Sequence, residues 1–214
     1  MAFIKISRQT DILALAAFLL SLSGVMFQLF MFVRGAQVTL YPSQQVLIFA
    51  YTPPQGTEAR VHVSARMTYV NTGYVGHNAV VQREHMAFRI GAETFVQEWE
   101  SFAIPVVQGE TLTWDKQDEA HPVPINAGSA TSHQTSFTPY PIRGVDDNRK
   151  FKYFLSWEEF TKKIEPHDHL LFDWVAEIAG SSKPRRTRCR IELDDHIKTH
   201  LGHKKWEAVP CWPQ

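Results

Sequence analysis

Hydrophobic and polar positions follow two different rules in this chain, and the change comes at Arg34. From Ile12 to Val33 the sequence reads ILALAAFLLSLSGVMFQLFMFV and carries no formal charge. At 1.5 Å per residue such a helix reaches about 33 Å, enough to cross a hydrocarbon core of about 30 Å. A cleaved signal peptide would carry a shorter apolar region, of about 7–15 residues, ending at a small-x-small site. Here Ser21-Leu22-Ser23 is followed by more apolar residues, and Arg34-Gly35-Ala36 is a poor cleavage site. The pattern predicts an uncleaved transmembrane helix over residues 12–33, preceded by a short cytoplasmic segment, 1–11, and followed by an exported domain, 34–214.

Beyond Arg34 the apolar residues come in short runs separated by turn residues. Arg60–Asn71 alternates, with Val61, Val63, Ala65, Met67 and Tyr69 on one face and His62, Ser64, Arg66 and Thr68 on the other. Val80–Ile90 places Met86, Phe88 and Ile90 in phase, and Glu93–Phe102 does the same with Phe95, Gln97 and Trp99. Gln45–Tyr51, Thr111–Trp114, Ser132–Phe137, Lys150–Leu155, Leu170–Ile178, Arg186–Leu193 and Lys205–Val209 complete the strand candidates. A period of two means one face buried and one wet, as in antiparallel sheets. Many short strands without long βαβ spacing point to a mainly β fold, an immunoglobulin-like antiparallel β-sandwich.

Two short helices interrupt the strands. Ser156-Trp157-Glu158-Glu159 fits a capping box, after which Trp157, Phe160 and Ile164 share a face. The second helix runs over about Asp195–Leu201 and is expected to stop at Gly202. Asp115–Pro141 is polar and proline-rich, and reads as a loop-rich insertion or edge region.

Charge adds orientation. Lys5 and Arg8 precede the apolar helix and Arg34 is the one nearby cation after it, so the positive-inside rule places the C-terminal domain outside the cytoplasm. Overall, 22 basic residues balance 22 acidic ones, and no global field favours nucleic acid or an acidic partner. The chain has 2 cysteines, Cys189 and Cys211. In an oxidising compartment they are expected to pair, Cys189 from the inward phase of its strand, and to pin the C-terminal tail.

Within the apolar helix Ala14, Ala17, Ser21, Gly24 and Gln28 recur at intervals of three and four and so form one seam. Small residues let two backbones approach, and a buried amide prefers a hydrogen-bond partner to lipid. The seam predicts packing against another transmembrane helix, of a second copy or of a different protein.

Candidate chemistry elsewhere is sparse. His196, His200 and His203 have the spacing of a Zn or Cu site, although HIKTH lacks the glutamate of a zinc-protease motif. Arg186, Arg188 and Arg190 project to one side of a strand, where they suit anionic lipid or an acidic partner, or simply a charged sheet edge. There is no G-x-S-x-G elbow, no glycine-rich phosphate loop and no C-x-x-C. The reading is a non-enzymatic, membrane-anchored interaction protein without a cofactor, an accessory or assembly subunit of a membrane complex. Its rival is an exported metal-binding or metal-delivery protein that uses the C-terminal histidines.

Overall fold

The computed structural model describes residues 8–52, 57–109, 111–139 and 155–214, apart from the side chains of residues 8–11 and of Lys204. A helix, α1 (Arg8–Arg34), leads into β1 (Val38–Tyr41), β2 (Gln45–Tyr51), β3 (Arg60–Asn71), β4 (Ala79–Ile90), β5 (Glu93–Gln108) and β6 (Thr111–Glu119). There follow β7 (Val123–Ile125), β8 (Ser129–Pro139), α2 (Trp157–Ile164), β9 (His169–Ile178), β10 (Arg185–Glu192), α3 (Asp195–Lys204), β11 (Trp206–Pro210) and β12 (Trp212–Pro213). Of the expected strand Lys150–Leu155, all but Leu155 lies outside the described residues.

The fold is mainly β, as expected, but the strands are hydrogen-bonded as one sheet instead of the two sheets of an immunoglobulin-like sandwich. Its order is β11-β2-β3-β8-β5-β4-β9-β10-β12, with β1 beside β3, β6 beside β5 and β7 beside β4. All the pairings are antiparallel. The sheet curls until β10 lies against β1 and β11, so the barrel is nearly closed. Alternation alone cannot separate the two architectures, because both bury one face of every strand.

What curls the sheet is a set of irregularities that periodicity does not reveal. The β4–β9 register shifts between Val81 and Arg83, so Val81 and Glu84 both point inward, although three positions apart. Two more shifts bend β5, at Trp99/Ser101 against β8 and at Phe102/Ala103 against β6. Past the second, β5 leaves the barrel with β6 as an arm on which Ile104 and Val107 are exposed.

That arm folds back over the outside of β2, where the Trp114 ring sits 4.5 Å from Phe49. Val46 and Ile48 therefore face the barrel core while Leu47 and Phe49 are buried on the opposite side. This explains why β2 reads as a continuous apolar run and not as an alternating one. It also buries His62 and Ser64, on the face of β3 expected to be wet. The described residues of Asp115–Pro141 are accordingly mostly strand and not loop: they hold the end of β6, which pairs only with β5, and all of β7 and β8. The polar residues of the first part, 115–119, lie on the arm and are exposed.

The helices close the barrel. Ser156 caps α2 by accepting from the Glu159 N–H at 3.2 Å, and Trp157, Phe160 and Ile164 are buried against the core. Asp194 caps α3 through the Ile197 N–H at 2.7 Å. The helix does not stop at Gly202 but continues to Lys204, and Lys205 takes the left-handed conformation, with φ 60°, that ends it. A glycine weakens a helix interior without forbidding it, and Leu201 anchors this turn in the core.

The apolar helix is bonded to the barrel. Gly35 ends α1 with φ +67°, and two residues later the Gln37 N–H donates to the Asn71 side-chain oxygen at 3.2 Å. Asn71 is fully buried, accepts also from the Gly73 N–H at 3.0 Å, and donates to the His77 carbonyl at 2.8 Å. The Thr72 N–H closes the loop onto the Gln37 carbonyl at 2.9 Å. A Cβ on Gly73 would come within 3.0 Å of the Ala36 Cα, so the two segments approach as closely as glycine permits.

Candidate functional site

Helix α1 presents its whole apolar length outward. From Ile12 to Phe30 the side chains are exposed, including the seam Ala14, Ala17, Ser21, Gly24 and Gln28, and no heavy atom lies within 4 Å of the position a Gly24 Cβ would take. Ile12–Arg34 is long and apolar enough to span a membrane. Only at its last turns does the helix meet the barrel: Met31 is partly buried and the Phe32 ring stands edge-on to His77 at 5.2 Å. The helical spacing that defined the seam in the sequence is kept, and among the described residues nothing covers it.

Cys189 and Cys211 are joined, with Cα atoms 5.5 Å apart and both side chains buried. The bond links β10 to the residue that follows β11, across the gap where the barrel fails to close. It is supported by the Cys211 N–H donating to the Gln44 carbonyl at 2.9 Å and the Gln214 N–H donating to the Arg188 carbonyl at 3.1 Å. The tail is thereby pinned, as its sequence position suggested.

The arginine stripe on β10 is largely neutralised. Arg188 donates to Asp173 at 2.5 Å, Arg89 reaches the other oxygen of the same carboxylate, and Arg190 pairs with Glu192 at 2.8 Å. Burial acts to raise the Asp173 pKa, but the hydrogen bonds from Arg188 and Arg89 outweigh it and hold the carboxyl below its ordinary value. Arg186 is exposed and has no carboxylate within 4 Å among the described residues. Its outward neighbours are committed to structural ion pairs.

The histidines come partly together. His196 and His200 have ring centroids 3.9 Å apart, and the His200 Nδ1 is 2.9 Å from Glu207 on β11. Because α3 continues past Gly202, His203 lies on the helix after all, one turn beyond His200. Among the described residues no group of three His, Cys, Asp or Glu side chains is arranged to hold a metal ion.

One constellation was missed in the sequence. Glu84 is 1% exposed inside the barrel, where it contacts the His133 Nε2 at 2.6 Å and accepts from the Thr135 hydroxyl at 3.1 Å. The Tyr69 ring stacks on His133 at 5.6 Å, and Phe102 lies 4.5 Å from the same imidazole. Burial and the Glu84 charge push the Tyr69 hydroxyl well above the ordinary tyrosine range. A carboxylate that orients an imidazole is the start of a general-base arrangement. Here the ring is covered by Tyr69 and Phe102 and its side chain is 13% exposed, which suits a buried polar clamp better than a site open to substrate. Glu84 is in phase with Met86, Phe88 and Ile90, so alternation already turns it inward, but its partners His133 and Thr135 lie on β8, far away in sequence.

On the outside, the arm and the barrel wall enclose a cleft of about 1190 Å³ lined by Leu47, Arg66, Pro105, Val107, Trp206 and Trp212 among others. No family model matches the chain, and no curated protein does either. Among solved structures it is similar to the crystal structure of Spo0M, sporulation control protein, from Bacillus subtilis, with 12% identity and a TM-score of 0.30. The match covers 78% of this chain and 54% of that one, so the chain spans about half the length of that protein. At this TM-score the likeness carries no argument about function.

Proposed function

We propose that the protein is a membrane-anchored, non-enzymatic interaction subunit whose α1 crosses the membrane and packs on another helix. Its N-terminus faces the cytoplasm and the barrel lies outside it. One observation carries the reading: the small and polar seam of α1 is uncovered, on a helix whose end is bonded firmly to the barrel. Small residues and an amide along one line are what helix association in a bilayer uses. The anchored junction means that such packing would also hold the barrel in place. Two further features agree with the reading. The bond between Cys189 and Cys211 suits an oxidising compartment. The cleft beneath the β5–β6 arm offers apolar and aromatic surface for contact outside the membrane.

The test is extraction from native membranes in mild detergent, followed by mass spectrometry of what accompanies the protein. A stoichiometric membrane partner, or a second copy of the chain, is the expected result. A protein that emerges alone and monomeric would contradict the reading and turn attention to the His196–His200 pair and metal content.

A further inference from the structure

Where α1 meets the barrel there is a cavity of about 230 Å³ whose lining includes Met31, Arg34, Gln37, Thr72, Gly73 and Arg185. Two features set it apart from the rest of the surface. Its wall contains two arginines and no carboxylate. Neither Arg34 nor Arg185 has an acidic partner within 4 Å among the described residues, whereas Arg188 and Arg190 on the same strand as Arg185 are both paired. The Arg185 Nε is moreover shut away from solvent without a hydrogen-bond acceptor. A buried donor left unsatisfied is costly, so an acceptor delivered to this wall recovers that energy.

Part of the rest of the wall is committed to holding the junction. Asn71 and the main chain of Gln37, Thr72 and Gly73 are spent on holding the junction together. The guanidinium groups of Arg34 and Arg185 are left to receive a ligand. The volume is below the roughly 300–1,000 Å³ of sites for whole small molecules, and suits a single small anionic group. Planar guanidinium forks match phosphate oxygens in charge and geometry. The cavity also opens beside Met31 and Arg34, at the end of the apolar span Ile12–Arg34, which is the depth at which a bilayer carries its headgroup phosphates.

We propose that this cavity is a phosphate-binding site that takes the phosphodiester of an anionic lipid headgroup, clamped between Arg34 and Arg185. The proposal rests on α1 spanning the membrane. A bound lipid would lock the junction and fix the barrel relative to the bilayer surface.

The test uses the full chain purified in non-ionic detergent. Phosphatidylglycerol and phosphatidylcholine are titrated separately and bound lipid is counted by native mass spectrometry, while inorganic phosphate is titrated calorimetrically in lipid-free detergent. One phosphatidylglycerol per chain is expected, retained over phosphatidylcholine and weakened by about tenfold or more in Arg34→Gln, whose side chain is exposed. Arg185→Lys, which keeps the charge but loses the fork, should fall between the two. Arginine-dependent binding of inorganic phosphate with no preference for phosphatidylglycerol would overturn the lipid as the source. Binding of neither, or binding unchanged in both variants, would overturn the site. Retention of the protein in alkali-washed membranes, scored in parallel, separates the two ideas: its loss would break the anchor reading, and its persistence without lipid selectivity would break this one alone.

Discussion

The barrel and the helix treat polar side chains in opposite ways. Inside the barrel Glu84 is taken fully out of water, but each of its oxygens has a partner, His133 or Thr135. Gln97, equally buried, donates to the Val61 carbonyl at 2.7 Å. Along α1, by contrast, Ser21 and Gln28 are exposed together with every apolar neighbour up to Phe30. Polar side chains inside the barrel are sheltered from solvent, whereas those along the helix stand in the open. A soluble domain could not expose so long an apolar surface, and a helix serving only as an anchor would not need an amide among its lipid-facing residues. The difference separates the part that folds by itself from the part that calls for surroundings.

If that division is right, breaking the barrel's internal clamp should be costly and should leave helix association alone. Glu84→Ala removes the acceptor of both His133 and Thr135, and is expected to cost about 4 kcal/mol, the scale for breaking a buried pair. Denaturant unfolding of the detergent-solubilised chain measures it, and a loss under about 1 kcal/mol would mean that the clamp is slack. Replacing Cys189 and Cys211 together by serine should cost about 3 kcal/mol, since the bond closes a loop with sequence separation 22. The same unfolding experiment reads it, and the defect should concentrate at the tail, with faster hydrogen exchange in β11 and β12.

A smaller effect depends on pH. Burial, aided by the charge of Arg60, lowers His62 from its ordinary 6.5 to about 4. Between these values the unfolded chain binds the proton and the folded one does not, so this contribution is complete above pH 6.5 and is lost as pH falls toward 4. At pH 5 the loss should be about 2 kcal/mol. His62→Phe should flatten that part of the stability profile, because Phe49 and Tyr51 already surround the position with aromatic rings. An unchanged slope would place the titrating group elsewhere.

How much of this was legible beforehand follows the physics of each element. The inward face of β3 could be read because Val61, Val63, Ala65, Met67 and Tyr69 alternate without a break, although His62 and Ser64 on the other face are buried too, and the boundaries of β2 and β3 agree with the expectation. The cap at Ser156 and the pairing of Cys189 with Cys211 were equally visible, being local chemistry in one case and a choice between two thiols in the other. The single curled sheet was not visible, because closure depends on the bulges at Val81/Arg83, Trp99/Ser101 and Phe102/Ala103, and a bulge leaves no periodic trace. Glu84 was hidden for a different reason: it is in phase with Met86, Phe88 and Ile90, but its partners His133 and Thr135 come from a distant strand. The junction cavity was out of reach in another sense: Arg34 and Arg185 lie far apart in sequence, and β1, the strand that brings them together, is a four-residue element. The continuation of α3 through Gly202 shows tertiary anchoring by Leu201 outweighing a local stop signal.

The central claim is that α1 carries an association surface the barrel neither provides nor needs, and Gly24→Leu combined with Gln28→Leu tests it most directly. The variant should keep the barrel's unfolding midpoint and its membrane retention while losing the partner, or the second copy, that accompanies the unaltered protein in detergent. Association that persists in the variant, with barrel and anchor equally intact, would contradict the claim.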